Sequence, residues 1–153
     1  MKGLIVDNND PKNPRLVFSE VPTPRAGRGE LLVRVEVAGL NRADLALPKD
    51  HYAANEVGGS ELAGEVVEVG SDCPGFAVGD RILALSRGSH AEFACVDYRL
   101  AVHVPDGIDW QVAAALTFPA PASDRDRLHA QRLRVHAFRQ QWGAAWRRRS
   151  WLV

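Results

Sequence analysis

The sequence has 153 residues, 46% hydrophobic and 25% charged, a globular composition with room for one core-bearing domain. Its two cysteines, Cys73 and Cys95, form neither a CxxC pair nor a disulfide framework, and no apolar run approaches membrane-spanning length, which argues against a disulfide-built secreted scaffold and a helical membrane protein. The formal net charge of zero conceals an asymmetry: residues 1–119 hold 11 Lys and Arg against 17 Asp and Glu, whereas residues 120–153 hold eight Arg, no Lys, and only Asp124 and Asp126. Three of the four tryptophans (Trp142, Trp146, Trp151) also lie in that second segment. A break this sharp marks two segments of different origin or role, with the boundary near Pro119–Pro121.

In chain order, Met1 to Val6 opens as a strand-like run without a basic, signal-like n-region, and a soluble cytoplasmic protein is expected. Leu16-Val17-Phe18 is a second strand candidate, closed by Pro22 and Pro24. Glu30 to Leu40 is the clearest strand. Its Leu31, Val33, Val35 and Val37 fall on one face and Arg34 and Glu36 on the other, the period of two that a half-buried strand requires. Leu47 to Gly59 reads as a loop from its Pro, Asp, Asn and Gly content. Glu61 to Val69 predicts another strand, stopped by Gly70-Ser71-Asp72. Val78-Gly79-Asp80 turns the chain into a strand at Arg81 to Leu85, and His90 to Val96 and Leu100 to Val104 complete the set.

Many short strands separated by Gly and Pro turns argue for a compact β-barrel rather than a βαβ sheet. Asp109 offers an N-cap for a helix from Trp110 to Leu116, which Pro119 ends. There is no GxGxxG, no GxxxxGK and no strand–glycine turn–helix unit, so no phosphate-binding loop can be assigned. A cofactor served by this barrel must have its pyrophosphate held elsewhere.

Three stretches, in order and spacing, resemble the medium-chain dehydrogenase/reductase family over residues 1–119. They are Val37-Ala38-Gly39-Leu40-Asn41-Arg42-Ala43-Asp44; Gly59-Ser60-Glu61 through Gly70 with Phe76-Ala77-Val78-Gly79-Asp80-Arg81-Ile82; and Gly88-Ser89-His90-Ala91-Glu92-Phe93 leading to Val104-Pro105-Asp106-Gly107 and Ala113-Ala114-Ala115-Leu116. The resemblance implies a mostly β fold for residues 1–119, a GroES-like, partly open barrel with short helices and no Rossmann domain. Zinc-dependent members place a cysteine ligand where this chain has Asn41 and a histidine ligand where it has Ser60. An amide and a hydroxyl do not hold zinc as a thiolate and an imidazole do. The four-cysteine structural lobe of those members is missing after Ala84–Ser86. The zinc-independent quinone oxidoreductase type, with the crotonyl-type reductases, is therefore the branch implied, and no zinc is expected.

The same resemblance implies site residues. Asn41 lines the nicotinamide cleft of such reductases and is expected to contact cofactor and substrate; read from its own chemistry, it could equally end the strand in an Asx turn. Tyr52 matches a tyrosine facing the substrate, against the reading of a loop aromatic packed on the barrel. Glu61 stands beside the catalytic cleft, with either a catalytic role or a structural one, paired with Arg42 or a backbone amide. Asp44 and Asp80 are expected to fix loops through backbone hydrogen bonds, and Gly64, Gly70 and Gly79 to supply permissive backbone angles. His51 and His90 read as packing or surface residues rather than catalysts. Cys95, on a strand, is expected to be buried.

At residue 120 the resemblance stops in mid-motif, and residues 120–153 form a basic, Arg- and Trp-rich tail, helical or disordered. Its composition reads as the product of a frameshift or truncation in a longer reductase gene. The alternative is a free-standing binding module or a remnant whose tail arginines and aromatics contact nucleic acid. The complete relative uses NADPH and takes a quinone or α,β-unsaturated carbonyl as its small-molecule substrate. This chain is expected to be inactive alone, to bind no NADPH, and to self-associate through the face left for a nucleotide domain. No membrane partner is expected.

Overall fold

The structure, a computed structural model, describes residues 1–7, 15–41 and 55–115. Among the described residues there are seven strands: β1 (Lys2–Asp7), β2 (Arg15–Glu20), β3 (Glu30–Ala38), β4 (Glu61–Val69), β5 (Arg81–Leu85), β6 (Phe93–Asp97) and β7 (Ala101–His103). A single helical turn, Tyr98–Leu100, joins β6 to β7, and one short helix, α1 (Trp110–Ala115), follows. β1 and β2 make an antiparallel ribbon, while the other five strands form one antiparallel sheet in the order β6-β3-β4-β5-β7, curled into a half-barrel. The ribbon joins the rest through bridges from Gly3 to Ala91 and from Ile5 to Val57. This is the mostly β, partly open barrel that the sequence pattern predicts.

The sheet is buried on both faces at its centre. Leu31, Val33, Leu62, Val66, Ile82, Ala84, Val96 and Ala101 fill the inner face. Ala63, Leu83, Val102 and Val104 point the other way, where Ala113 and Ala114 of α1 cover them. The alternation along β4, β5 and β7 sorts neighbouring residues between the two clusters. Arg81 anchors the entry to the helix: its guanidinium lies 4.1 Å over the Trp110 ring and donates to the Ile108 carbonyl at 2.8 Å.

Three expectations change. Leu31, Val33, Val35 and Val37 do not share a face. Val35 packs against the inner cluster, but Val37 packs against the outer one beside α1. The cause is a register shift between Val35, paired with Gly64, and Val37, paired with Ala63, which leaves Glu36 as an extra residue and inverts the alternation. Gly64 and Gly70 are not at left-handed backbone angles; a Cβ on Gly64 would run into the Arg34 carbonyl oxygen, and one on Gly70 into that of Gly27. Space, not conformation, requires them. Gly79, at φ 93°, is the one of the three where conformation does. Finally, Cys95 is only half-buried, its thiol 3.2 Å from the Arg25 carbonyl, and Cys73 in the loop after β4 is the buried one.

Candidate functional site

Because β3, β4 and β5 are antiparallel, the C-terminal ends of β3 and β5 meet the N-terminal end of β4 at one edge of the sheet. The register Ala38 to Leu62 brings Gly39 beside Glu61, and the Gly39 amide donates to the Glu61 carbonyl at 3.2 Å. On the other flank, Ser86 donates its amide to Ser60 at 3.0 Å, Gly88 to Gly59 at 3.1 Å, and His90 to Gly58 at 2.9 Å. The described part of the first family motif, residues 37–41, therefore converges in space with the start of the motif at 59–70 and with residues 88–90.

Asn41 lies just past the end of β3. Its Nδ2 donates to Glu61 Oε1 at 2.8 Å and lies 3.4 Å from Ser60 Oγ. Glu61 is 5% exposed, a buried carboxyl laid against the backbone of Gly39: a Cβ there would stand 2.6 Å from its Cγ and Cδ. Opposite, His90 Nε2 is 3.0 Å from the Gly39 carbonyl. A carbonyl only accepts, so Nε2 is the protonated ring nitrogen, and His90 serves as a strut under the Gly39 turn. Ser89 is fully buried, and neither its hydroxyl nor His90 Nδ1 has a hydrogen-bond partner among the described residues. Beside His90 opens an apolar groove of about 510 Å³, walled by Leu4, Phe18, Val35, Ala38 and Leu40, with Phe18 and Leu40 strongly exposed.

Of the site residues expected from the sequence, the structure brings Asn41 and Glu61 into direct contact, with Ser60 beside them. Tyr52, Arg42, Asp44 and His51 lie outside the described residues. Asp80, away from the site, does hold its loop: Oδ2 accepts from the Ala77 amide at 2.8 Å and meets His103 Nε2 at 3.0 Å. The Ala77 bond, then His103, holds the Asp80 carboxyl below the usual range. Sequence reasoning missed Gly39 and the strut from His90. The register of β3 on β4 carries that information, and a bulge at Glu36 hides it.

Residues 27–106 match the alcohol dehydrogenase GroES-like domain. The chain belongs to that family. This GroES-like chain is 32% identical over 128 residues to a trans-enoyl reductase of Gibberella fujikuroi, an alignment covering 78% of the chain and 36% of the relative. It is 42% identical over 91 residues to erythronolide synthase EryA2 of Saccharopolyspora erythraea, covering 60% of the chain and 2% of that synthase. Among solved structures, a mycobacterial protein complexed with NADPH superposes with a TM-score of 0.65 at 29% identity, over 75% of this chain and 37% of that one. A quinone oxidoreductase of Pseudomonas syringae pv. Tomato DC3000 gives 0.65 at 27% identity, over 76% and 37%. The GroES-like chain thus spans little more than a third of these reductases, and a far smaller share of the synthase. No described helix is long and apolar enough to cross a membrane.

Proposed function

We propose that the GroES-like chain supplies the substrate-side half of an NADPH-dependent, zinc-independent reductase acting on a quinone or an α,β-unsaturated carbonyl. The observation that carries the reading is the contact of Asn41 with Glu61 and Ser60 at the sheet edge where the three family motifs meet. An amide, a hydroxyl and one carboxylate are a poor donor set for Zn²⁺, which favours thiolate and imidazole nitrogen. They suit a cleft that orients a cofactor by hydrogen bonds. The relatives support the chemistry: their names place them among enoyl reductases and quinone oxidoreductases, and one was solved with NADPH.

Bound NADPH would supply the hydride. Asn41 would hold the nicotinamide end, Tyr52 would face the substrate, and the apolar walls would exclude water and hold the two reactants in line. The pyrophosphate needs a glycine-rich loop that residues 1–119 do not contain. Purified 153-residue chain is therefore expected to show no NADPH-dependent quinone reduction and no micromolar NADPH binding.

Grafting residues 1–115 onto the nucleotide-binding remainder of the Pseudomonas syringae quinone oxidoreductase should restore turnover. Asn41→Ala in that graft should lower kcat/KM by about ten- to a hundredfold, the worth of one well-placed hydrogen bond in a closed cleft. An inactive but folded graft, or an Asn41→Ala graft as active as its parent, defeats the assignment. So does saturable turnover by the 153-residue chain alone.

A further inference from the structure

We propose that the outer edge of β2 is a self-association surface, on which a second copy of this chain pairs antiparallel about a two-fold axis at Val17. The proposal is independent of the reductase reading. Met1 and Val21 exchange both backbone bonds: the Val21 amide donates to the Met1 carbonyl at 2.9 Å, and the Met1 amino group to the Val21 carbonyl at 2.9 Å. The same register pairs Gly3 with Ser19, Ile5 with Val17 and Asp7 with Arg15. In an antiparallel ladder, bonded pairs of this kind alternate with pairs whose backbone groups point away from each other. Arg15, Val17 and Ser19 therefore bond inward to β1, while Leu16, Phe18 and Glu20 turn their amides and carbonyls outward. Among the described residues, β2 pairs with β1 alone.

Proteins usually blunt an open edge with charge, proline or a cover. Here the charges, Arg15 and Glu20, stand at the two ends, and the middle is Leu16-Val17-Phe18. Phe18 is 84% exposed. What this edge fits is its own copy. Residues facing each other across a pair share a side of the sheet, so a two-fold axis through the sheet must pass through a residue. Centred on Val17, the pairing sets Leu16 against Phe18 of the second copy, and Phe18 against its Leu16. All four have outward-facing backbone groups, so four hydrogen bonds close.

Within each ribbon Leu4 stands opposite Phe18 and Val6 opposite Leu16. The joined ribbons thus carry two apolar rows across four strands, each running Leu4, Phe18, then Leu16 and Val6 of the other copy. On the opposite face Val17 meets itself and Arg15 meets Ser19, so no like charges oppose each other. Centred on Phe18 instead, the axis would set Leu16 against Glu20. The formal net charge of zero adds no overall repulsion between copies. Six residues a side, against the roughly 20–30 of a standard interface, make the association transient.

Sedimentation velocity of the full 153-residue chain should show monomer at about 5 µM and a growing dimer fraction toward about 500 µM. Phe18→Lys, a charge at an exposed edge site, should remove that concentration dependence and leave the circular dichroism unchanged. The register is read by cross-linking in a Cys95→Ala background. Under mild oxidation at high concentration, Val17→Cys should form a disulfide-linked dimer at least about tenfold faster than Ser19→Cys, because residue 17 meets its own copy and residue 19 does not. A chain monomeric at every concentration overturns the proposal; if Phe18 of that monomer also resists hydroxyl-radical labelling, a segment of the same chain covers the edge instead. Association that survives Phe18→Lys, or equal cross-linking through Ser19→Cys, overturns it as well.

Discussion

Glycine at position 39 leaves room that any side chain would take from Glu61, since a Cβ there would stand 2.6 Å from the carboxyl carbon. Gly39→Ala should therefore displace the carboxylate, loosen Asn41, and cost about 1–3 kcal/mol as an overpacking change. Thermal melting and the Asn41 side-chain amide signals would check both halves, and an unchanged amide would show that Glu61 can relax without cost. At Cys95, burial, then Glu30 and Glu68, push the thiol up to about 11 from 9.0. A raised pKa means the unfolded chain loses this proton first. The contribution of Cys95 to stability is thus complete below pH 9 and is lost as pH rises from 9 to 11. Denaturant melts at pH 8 and 10.5 should show a smaller fall for Cys95→Ala than for the wild type; an equal fall would place the thiol in water. Asn41 and Ser60 were legible as positions in a motif because their chemistry differs so plainly from a zinc set, and Glu61 because it follows Ser60 in that motif. Their contact was not, since it joins residues 19 and 20 apart through a strand register that no local pattern fixes.

At the scale of elements, the strands from Glu30 onward lie where the apolar pattern puts them, with ends that shift by one to three residues at turns. His90 and Ala91, expected inside a strand, instead form a bridge to β1 and the strut under Gly39, and β6 begins at Phe93. The β3 alternation hides its bulge because apolar valines stand on both sides of Glu36, so either register looks equally buried from sequence. Gly64, facing Val35 across the pair, is where that bulge is accommodated: a Cβ would meet the Arg34 carbonyl oxygen and lie 2.8 Å from Val33 Cγ1. Neither neighbour can move without opening the ladder. Gly64→Ala is expected to lower Tm by about 5 °C or more and to disturb β3 and β4 amides together. A neutral substitution would mean that the two strands are not held as tightly as their register requires.

The whole molecule divides by charge and by core. Among the described residues, both hydrophobic clusters run between Leu31 and Ala114. The acidic excess of residues 1–119 and the basic excess of residues 120–153 attract each other by net charge, an attraction that physiological salt weakens. An attraction of that kind adds little to stability, and arginine- and tryptophan-rich sequence without a regular apolar stripe has no obvious face to bury. Cutting the chain after Pro119 is accordingly expected to leave the strand signal of the barrel intact. The change in Tm at 0.15 M salt should be no more than about 2–4 °C, in the range of surface changes that touch no core contact. Circular dichroism and thermal melting of the two lengths would decide it, with limited proteolysis of the full chain as a control. If truncation unfolds the barrel, or if residues 120–153 resist protease as well as residues 30–105, the tail is an evolved part of the fold. Its composition then needs an explanation other than a shifted reading frame.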